Sequence, residues 1–279
     1  MLITKQITSL DIPDLHPYRT LRRPMEHMKD GIFVAEGAKV VQRLLDSDLT
    51  IISFLMTNEW YVKLFPDSQL PVHRQNNDEQ PTIFLAEKEL VESIVGYNLH
   101  QGIMAIAKLP AQQSLTKIIS SVAKPYLIVA LDGLVNAENV GLVMRNCAAF
   151  GADAVIVGET SSSPYLRRAV RNSMGTVFTI PIIHADNLAE SLTELKTNYA
   201  TRIIGAHPHE EASLHSINVS GNVCIVLGNE GDGISQAILD VCTDLVAIPM
   251  MNGTDSLNVA SASAVFLYEA RKHRTAEKR

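Results

Sequence analysis

Short apolar runs alternate with amphipathic stretches along most of this 279-residue chain. From Tyr126 onward the alternation is regular. The run YLIVALDGL precedes ENVGLVMRNCAAFG, whose apolar residues recur at helical spacing and which Gly151 should terminate. The later apolar runs predict five strands: ADAVIVGE, VFTIPII, TRIIGAH, NVCIVLGNE and LVAIPM. The stretches between and after them predict helices at SPYLRRAVRNSMG, NLAESLTELKTNY, GISQAILDVC and the C-terminus. Strands that alternate with helices favour a mostly parallel sheet with helices on both faces, so we predict an α/β fold.

A shorter pattern of the same kind precedes this region. A helix from about Glu36 should bury Val40, Val41, Leu44 and Leu45, and EKELVESIVG predicts a second helix. The predicted strands are IFVA, TIISFLMT, TIFLA and HQGIMAIAKL. The stretch PAQQSLTKIISSVAKP is bounded by prolines and resembles a connector with some helix in it. We therefore predict a smaller α/β domain at 1–110, a linker at 111–125 and a larger domain at 126–279.

Composition narrows the protein class. Hydrophobic residues make up 46% of the chain and charged residues 19%, which suits a protein with a sizeable core. No apolar run approaches the roughly 20 residues that span a bilayer, and polar residues interrupt the N-terminal stretch where a signal peptide would need an apolar core. Three widely spaced cysteines with apolar neighbours, Cys147, Cys224 and Cys242, predict reduced core thiols and a cytoplasmic protein.

The net charge of −6 does not indicate a general nucleic-acid binder, so any site for a polyanion must be a local cluster. Each basic cluster could equally be an exposed helix face or chain end. The candidates are Arg19, Arg22 and Arg23; Arg167, Arg168 and Arg171; and Arg271 through Arg279.

Three polar, glycine-containing loops follow predicted strands, at the edge where open α/β sheets bind ligands. We name them the first motif (DGLVNAENVGLVMRN), the second motif (IVLGNEGDGIS) and the third motif (IPMMNGTDSLNVASASAVFLYEA). Each alone is compatible with ordinary turn chemistry, and Asp255 and Ser256 are good N-cap candidates for the last helix. Neither GxGxxG nor GxxxxGK[ST] is present, which removes the main support for a dinucleotide or P-loop site.

Together the three motifs resemble those of the SpoU/TrmH family, RNA ribose 2′-O-methyltransferases of the SPOUT class, over roughly residues 126–271. The segment RNSMGTVFTIPI resembles the family's intervening segment, and residues from about 21 to 108 more weakly resemble its N-terminal RNA substrate-binding domain, which is similar to ribosomal proteins. The resemblance implies S-adenosylmethionine as cofactor, a deep trefoil knot at about 225–270, and a homodimer in which the partner completes the active site. The small residues from Ala260 to Ala264 would let backbones approach closely inside such a knot.

The resemblance also implies roles for individual residues. Those matching the family's reactive set are Asn139, Arg145, Glu230, Ser256 and Asn258, and those matching its cofactor-binding segments are Leu227, Gly228, Ile248, Met250 and Leu257. Arg145 is often assigned as a general base, but a guanidinium stays protonated, so we expect it to stabilise the developing alkoxide or hold a phosphate. The arginine clusters at 19–23 and 167–171 become candidate RNA contacts. AHPHEEASLH, with His207, His209, Glu210 and His215, superficially resembles a metal site, but methyl transfer requires no metal and we expect none.

Ribosomal RNA is the favoured substrate on this interpretation, because an added RNA-binding domain suits a structured RNA. Three alternatives stay open: a transfer RNA methyltransferase, a catalytically idle RNA-binding protein that keeps the fold, and a nicotinamide oxidoreductase without the usual fingerprint.

Overall fold

The structure is a computed structural model, and it describes residues 2–71, 74, 80–95, 102–208, 210, 212–217 and 219–276. Its internal contacts divide the chain into two compact units. The first unit comprises Met1–Pro110 together with Tyr165–Phe178, and the second comprises Ala111–Pro164 together with Thr179–Arg279. Residues 165–178 pack with the first unit, although the sequence placed them in the domain at 126–279.

The first unit contains a mixed five-stranded sheet within its described residues, in the order β1-β4-β3-β5-β2. Strand β5 is antiparallel to β2 and β3, whereas β4 is parallel to β1 and β3. The strands are β1 (Ile3–Gln6), β2 (Ile32–Glu36), β3 (Ile51–Met56), β4 (Thr82–Leu85) and β5 (Ile103–Lys108). All four residues of β1 are exposed, so the strand carries no apolar alternation by which the sequence could reveal it.

The helices of this unit are short: α1 (His16–Arg19), α2 (Pro24–Lys29), α3 (Ala38–Leu45), α4 (Asn58–Leu64) and α5 (Lys88–Val95). Helix α3 buries the predicted face of Val40, Val41, Leu44 and Leu45. It starts after Gly37, whose φ of 95° is readily adopted only by glycine. The helix predicted from EKELVESIVG is α5, and Gly96 at its expected end lies outside the described residues.

Residues 165–178 fold against β2. They include α8 (Arg167–Asn172) and a short 3-10 turn at Thr176–Phe178. The Phe33 ring lies with its centroid 5.4 Å from that of Tyr165 and 5.5 Å from that of Phe178. Because Phe178 packs on this aromatic cluster, the strand predicted over VFTIPII is wrong in its first half and begins only at Ile182.

The second unit contains the predicted parallel sheet, in the order β11-β9-β10-β6-β7-β8, with every neighbouring pair parallel. The strands are β6 (Leu127–Leu131), β7 (Ala154–Val157), β8 (Ile182–His184), β9 (Arg202–Ala206), β10 (Val223–Leu227) and β11 (Asp244–Val246). The helices are α6 (Leu115–Ser121), α7 (Ala137–Phe150), α9 (Leu188–Tyr199), α10 (Gln236–Leu239) and α11 (Val259–Ala276). Helix α7 ends at Gly151 as predicted, in a left-handed conformation.

One face of this sheet packs against α6, α9 and α10 in a core that includes Ile128, Cys224 and Leu192. Helix α6 contributes Leu115, Ile118 and Ile119 to this core, so the expected linker at 111–125 is corrected to a packed part of the second unit. Within the described residues, no helix combines the length and apolar character needed to cross a bilayer.

Candidate active site

A cavity of about 560 Å³ opens at the carboxyl ends of three neighbouring strands of the second unit, β9, β10 and β11. Parallel sheets bind ligands at this edge, and the volume lies in the range of small-molecule sites. The second and third motifs form most of the wall. The lining residues are Ala206, His207, Pro208, Leu227, Gly228, Asn229, Glu230, Gly231, Asp232, Gly233, Ile234, Val246, Ile248, Met250, Asp255, Ser256, Leu257, Asn258, Val259, Ala262 and Phe266.

All five residues assigned to cofactor binding line this cavity: Leu227, Gly228, Ile248, Met250 and Leu257. Leu227 is buried at the end of β10, whereas Leu257 is partly exposed at the rim. Phe266 and Ile234 extend the apolar part of the wall, and three carboxylates, on Glu230, Asp232 and Asp255, line the same cavity. The cavity therefore combines an apolar surface with negative charge.

The second motif makes a tight turn that only a glycine at 228 permits. A Cβ atom on Gly228 would lie 2.4 Å from the backbone carbon of Gly233 and 2.4 Å from the backbone nitrogen of Ile234. The turn is closed by Asn229 N donating to Gly233 O at 2.8 Å and Gly233 N donating to Asn229 O at 3.1 Å. The backbone of this loop is thus folded back onto the end of β10.

The Asn229 side chain, which the sequence analysis did not assign to the site, holds that turn in place. Its Oδ1 accepts from the backbone nitrogens of Gly231 and Asp232, at 2.7 and 3.1 Å. Its Nδ2 donates to Gly133 O, at 2.6 Å, in the loop after β6. An Asn that precedes a glycine-rich turn is a known signal for side-chain-to-backbone bonding, and that signal was available in the sequence.

Three predicted reactive residues form a chain of amide and carboxylate contacts. Asn139 on α7 donates from Nδ2 to Glu230 Oε1 at 2.8 Å, and its Oδ1 accepts from Asn258 Nδ2 at 3.1 Å. Asn139 is buried, so both ends of its amide are satisfied inside the protein. The first, second and third motifs are therefore joined through one side chain.

Asn258 also caps the last helix. Its Oδ1 accepts from Ala260 N at 2.9 Å, which is the contact made by an N-cap residue. The expectation that Asp255 or Ser256 caps α11 is therefore wrong. Ser256 instead lies exposed in the loop before the helix, where it lines the cavity.

Arg145 occupies a different position from the other reactive residues. It is exposed on α7 and is not among the residues that line the cavity. It follows Asn139 by six residues, which places it about 9 Å along the helix and about 120° around it. Among the described residues the guanidinium has no hydrogen-bond or ion-pair partner. The structure thus separates Arg145 from the cavity of its own chain.

Asn146, next to Arg145, fixes α7 against the start of α11. Its Nδ2 donates to Ala260 O and to Ser263 Oγ, both at 2.8 Å. Ser263 is fully buried, and Ala260 is nearly so. Small residues at these positions allow the two helices to approach this closely, which explains part of the alanine–serine run. The local pattern gave no signal for this contact between residues 114 positions apart.

The two arginine clusters lie in the first unit, and acidic residues accompany both. Arg167 Nη1 lies 2.8 Å from Glu36 Oε2 and Arg171 Nη1 lies 3.4 Å from Glu36 Oε1. Arg19 pairs with Asp11 at 3.1 Å and Arg23 with Glu26 at 3.5 Å. Arg22 and Arg168 are exposed.

The histidine-rich segment and the three cysteines contain the remaining candidate metal ligands. His207 lines the cavity with Nδ1 at 3.4 Å from Glu210 Oε1, while His209 lies outside the described residues. Within the part of the chain that the structure describes, His, Cys, Asp and Glu side chains form no group that could hold a metal ion. All three cysteines are free thiols, and burial raises the pKa of Cys147 to about 12 and that of Cys242 to about 11.

Comparison with known proteins agrees with this geometry. The model of the SpoU rRNA Methylase family matches residues 126–268, which include the first two motifs and the third as far as Tyr268. An uncharacterized tRNA/rRNA methyltransferase of Mycobacterium bovis is 30% identical and covers 96% of this chain and 92% of its own length. The 23S rRNA (guanosine-2′-O-)-methyltransferase RlmB of Vibrio vulnificus is 34% identical over 69% of this chain and 78% of its own length.

Solved structures show the same architecture. An AdoMet-bound rRNA methyltransferase from Sinorhizobium meliloti superimposes with a TM-score of 0.81 at 25% identity, over 97% of this chain and 98% of that one. The SpoU methyltransferase AviRb from Streptomyces viridochromogenes, at 22% identity, shares the fold with a TM-score of 0.78 over 93% of this chain and 96% of that one. This chain belongs to the SpoU rRNA Methylase family and is an RNA methyltransferase that uses S-adenosylmethionine.

Proposed function

We propose that this protein transfers a methyl group from S-adenosylmethionine to a ribose 2′-hydroxyl of ribosomal RNA. The observation that carries the proposal is the cavity at the ends of β9, β10 and β11, which is lined by the five residues assigned to cofactor binding from the sequence. The RlmB relative is named for ribose methylation of 23S rRNA, which favours the ribosomal substrate. A ribosomal substrate also agrees with the cytoplasmic location expected from the sequence.

The residues present fit this cofactor. When bound, S-adenosylmethionine supplies a methyl group on a positively charged sulfonium. Glu230, Asp232 and Asp255 line the cavity and favour a cationic ligand, while Leu227, Ile248 and Met250 offer an apolar surface. The absent side chain at Gly228 lets the loop backbone fold close beside this surface.

The chain of contacts from Glu230 through Asn139 to Asn258 orients the loops that approach the acceptor. Asn139 fixes the direction of the Glu230 carboxylate, and Asn258 holds the start of α11 beside it. Ser256 hydrogen-bonds the substrate ribose; its exposure and its position on the cavity wall support this role. These groups hold the reactants in line, which is a large part of catalysis for a displacement of this kind.

Arg145 stabilises the negative charge that develops on the ribose oxygen as its proton leaves, or holds the adjacent phosphate. Because Arg145 does not line the cavity of its own chain, it acts at the cavity of a second copy in a homodimer. Exposed apolar side chains on α11, which packs against α7, suit such an interface: Val265 and Tyr268, three residues apart, are 39% and 58% exposed. The Tyr268 ring packs edge-on to Phe150 of α7, with centroids 6.2 Å apart.

Two further features follow from the family resemblance. The C-terminal segment at about 225–270 forms a trefoil knot, and the close packing of Ala260 and Ser263 beside Asn146 supports a tightly threaded chain there. The first unit binds the RNA substrate, with the arginines at 19, 22, 23, 167, 168 and 171 as phosphate contacts.

Methylation of defined RNAs tests this function. The protein would be incubated with labelled S-adenosylmethionine and either an unmodified 23S rRNA transcript or unmodified transfer RNA. Label should enter 23S rRNA at one ribose, detected as one linkage that resists alkaline cleavage because its 2′-oxygen is blocked. Label confined to transfer RNA would transfer the assignment to that substrate, and label on a base would refute ribose methylation.

A further inference from the structure

A cluster of basic side chains in the first unit lies where α3 and α8 flank the end of β2. We call it the α3–α8 surface. It combines residues from chain segments that are far apart in sequence: Lys39 and Arg43 on α3, and Arg167, Arg168 and Arg171 on α8.

Glu36, the last residue of β2, holds the arginines of α8 in place. Its carboxylate is 6% exposed and accepts from Arg167 Nη1 at 2.8 Å and from Arg171 Nη1 at 3.4 Å. A buried carboxylate between two guanidiniums fixes their positions and satisfies its own charge. Because β2 leads through Gly37 directly into α3, the same strand end positions both helices.

Arg43 links α3 to the segment that carries α8. Its Nη1 donates to Met174 O at 2.7 Å, and its side-chain stem lies close to Gly175, where an added Cβ would come within 3.2 Å of Arg43 Cβ. Lys39 lies four residues before Arg43, so both side chains project from the same side of α3. Cations from the two helices are therefore brought together on one surface.

The charge balance of this surface differs from that of the whole chain. The surface gathers five basic side chains, of which Arg167 and Arg171 share the Glu36 carboxylate, whereas the whole chain carries a net charge of −6. The cluster at 19–23 has only three basic side chains, of which Arg19 pairs with Asp11 and Arg23 with Glu26. Lys39 and Arg168 are both exposed, and Lys39 has no ion-pair partner among the described residues. A local excess of positive charge of this kind suits the phosphates of a nucleic acid.

We propose that the α3–α8 surface binds the phosphate backbone of the structured RNA substrate and supplies more of the RNA affinity than the cluster at 19–23. The inference rests on the proposed function and names the contact surface for it. It also means that residues 1–110 alone cannot form the complete RNA-binding surface, since α8 comes from the segment at 165–178.

Charge removal in the full-length protein tests this assignment. Lys39→Ala/Arg168→Ala removes two exposed cations of the α3–α8 surface, Arg22→Ala/Arg23→Ala removes two from the competing cluster, and Lys63→Ala/Lys88→Ala is a matched control elsewhere on the first unit. Affinity for an unmodified 23S rRNA transcript would be measured at several salt concentrations. Affinity for S-adenosylmethionine would be measured by calorimetry as a check on folding.

The first variant should lose about tenfold or more in RNA affinity, and its slope of log affinity against log salt should fall by roughly 1.5, since each lost phosphate contact contributes roughly 0.7–0.9. The Arg22→Ala/Arg23→Ala variant should lose less RNA affinity, and the Lys63→Ala/Lys88→Ala control should bind RNA as the wild type does. All three variants should bind the cofactor equally well. Equal losses in the three variants, or a larger loss in the arginine pair, would overturn the assignment. If the wild type methylates RNA and the first variant binds RNA normally, the assignment of RNA binding to this surface is wrong and the proposed function stands.

Discussion

Asn139 uses both ends of its amide group. Its Nδ2 donates to the Glu230 carboxylate, and its Oδ1 accepts from the Asn258 amide. The two contacts require opposite hydrogen-bonding character, which an amide provides and neither a carboxylate nor an apolar side chain can. A single residue at the start of α7 therefore determines how the second and third motifs meet.

Substitution of Arg145 separates a charge role from a proton-transfer role. Arg145→Ala should lower kcat by about 10²–10³, because a preorganised donor at a developing oxyanion contributes about 2.7–4 kcal/mol. Arg145→Lys keeps the positive charge and should retain measurable turnover with an unchanged pH–rate profile. Single-turnover methylation of 23S rRNA across the pH range measures both.

A lysine variant whose profile loses its basic limb would contradict this role and would favour proton abstraction by Arg145 itself. Cofactor affinity serves as the control for folding. It should change by less than about twofold in both variants if Arg145 acts mainly on the transition state.

Gly228→Ala should disrupt the second motif. The added methyl would meet the backbone of Gly233 and Ile234 at 2.4 Å, and backbone cannot move aside as a flexible side chain can. We expect a loss of about 2–3 kcal/mol in the free energy of unfolding, together with loss of measurable cofactor binding. Chemical denaturation and calorimetry would show both effects.

Gly231→Ala is the matched control within the same loop. There the nearest atom to an added Cβ is Asn229 Oδ1 at 3.5 Å, an ordinary contact. Its stability should stay close to that of the wild type. Similar losses in the two variants would mean that the close approach at Gly228 is not what restricts the turn.

At the level of single residues, the sequence motifs identified much of the cavity but not its internal bonding. Leu227, Gly228 and Ile248 were assigned from the motifs and do line the cavity. Asn146 could not be assigned, because its partners on α11 are brought near only by the fold. Motifs record which residue types recur, whereas such pairs depend on distant chain segments.

Among the secondary-structure elements, β11 is the edge strand that leads into the third motif. It has only three residues and pairs with β9 alone in the described sheet. A bidentate ion pair strengthens it: Arg202 Nε lies 2.6 Å from Asp244 Oδ2, and Arg202 Nη2 lies 2.7 Å from Asp244 Oδ1. The hydrogen bond from Arg202 holds the pKa of Asp244 below its usual value.

This pair predicts a pH-dependent stability. Because the folded-state pKa of Asp244 is depressed, its contribution is present above the unfolded pKa of about 3.9 and is lost as the pH falls through the folded value. Asp244→Asn should therefore cost about 1 kcal/mol at pH 7, a modest figure because both side chains are partly exposed. The difference from the wild type should shrink as the pH is lowered below about 4.

Urea denaturation at pH 7 and at pH 3 would measure that difference. Asp186→Asn is a suitable control, since Asp186 is exposed and has no ion-pair partner among the described residues. A constant deficit at both pH values would show that the variant acts through packing of β11 and not through the charge of Asp244.

Helices and strands were predicted correctly from the sequence where their residues are well buried and their ends are marked by nearby residues. Helix α7 has caps at both ends, Asn136 and Gly151, and β10 is buried throughout, so their patterns were clear. Strand β1 is exposed and gave no signal, and Phe178 packs on a ring 145 positions away in sequence, which shortened β8. Exposed edge strands and long-range contacts leave no periodic pattern of apolar residues, so periodicity does not predict them.

For the whole molecule, the assignment of residues 165–178 to the first unit is the feature that local patterns could not reveal. Glu36 and Arg167 lie 131 positions apart and meet only in the folded chain. The chain therefore enters the first unit twice, and the predicted division at 1–110 describes the main segment but not the packed unit. A fragment that ends at residue 110 lacks α8 and with it three of the five cations on the α3–α8 surface.

The proposed homodimer with a shared active site predicts rescue between two inactive variants. Arg145→Ala leaves the cavity intact but removes the cation, whereas Glu230→Ala alters the cavity and keeps Arg145. In a mixed dimer, one site would combine an intact cavity with the partner's intact arginine. With random pairing, half of the dimers are mixed and each has one working site of two, so about a quarter of wild-type activity should return.

Two differently tagged variants would be co-expressed, the mixed dimers isolated through both tags, and methylation of 23S rRNA compared with that of each parent. Purified mixed dimers should reach about half of the wild-type rate per dimer, because one of their two sites is complete. Activity no greater than the parents' would mean that Arg145 serves the cavity of its own chain. In that case α7 would have to move, since Arg145 does not line that cavity in this structure, and the exposed apolar residues of α11 would need a different explanation.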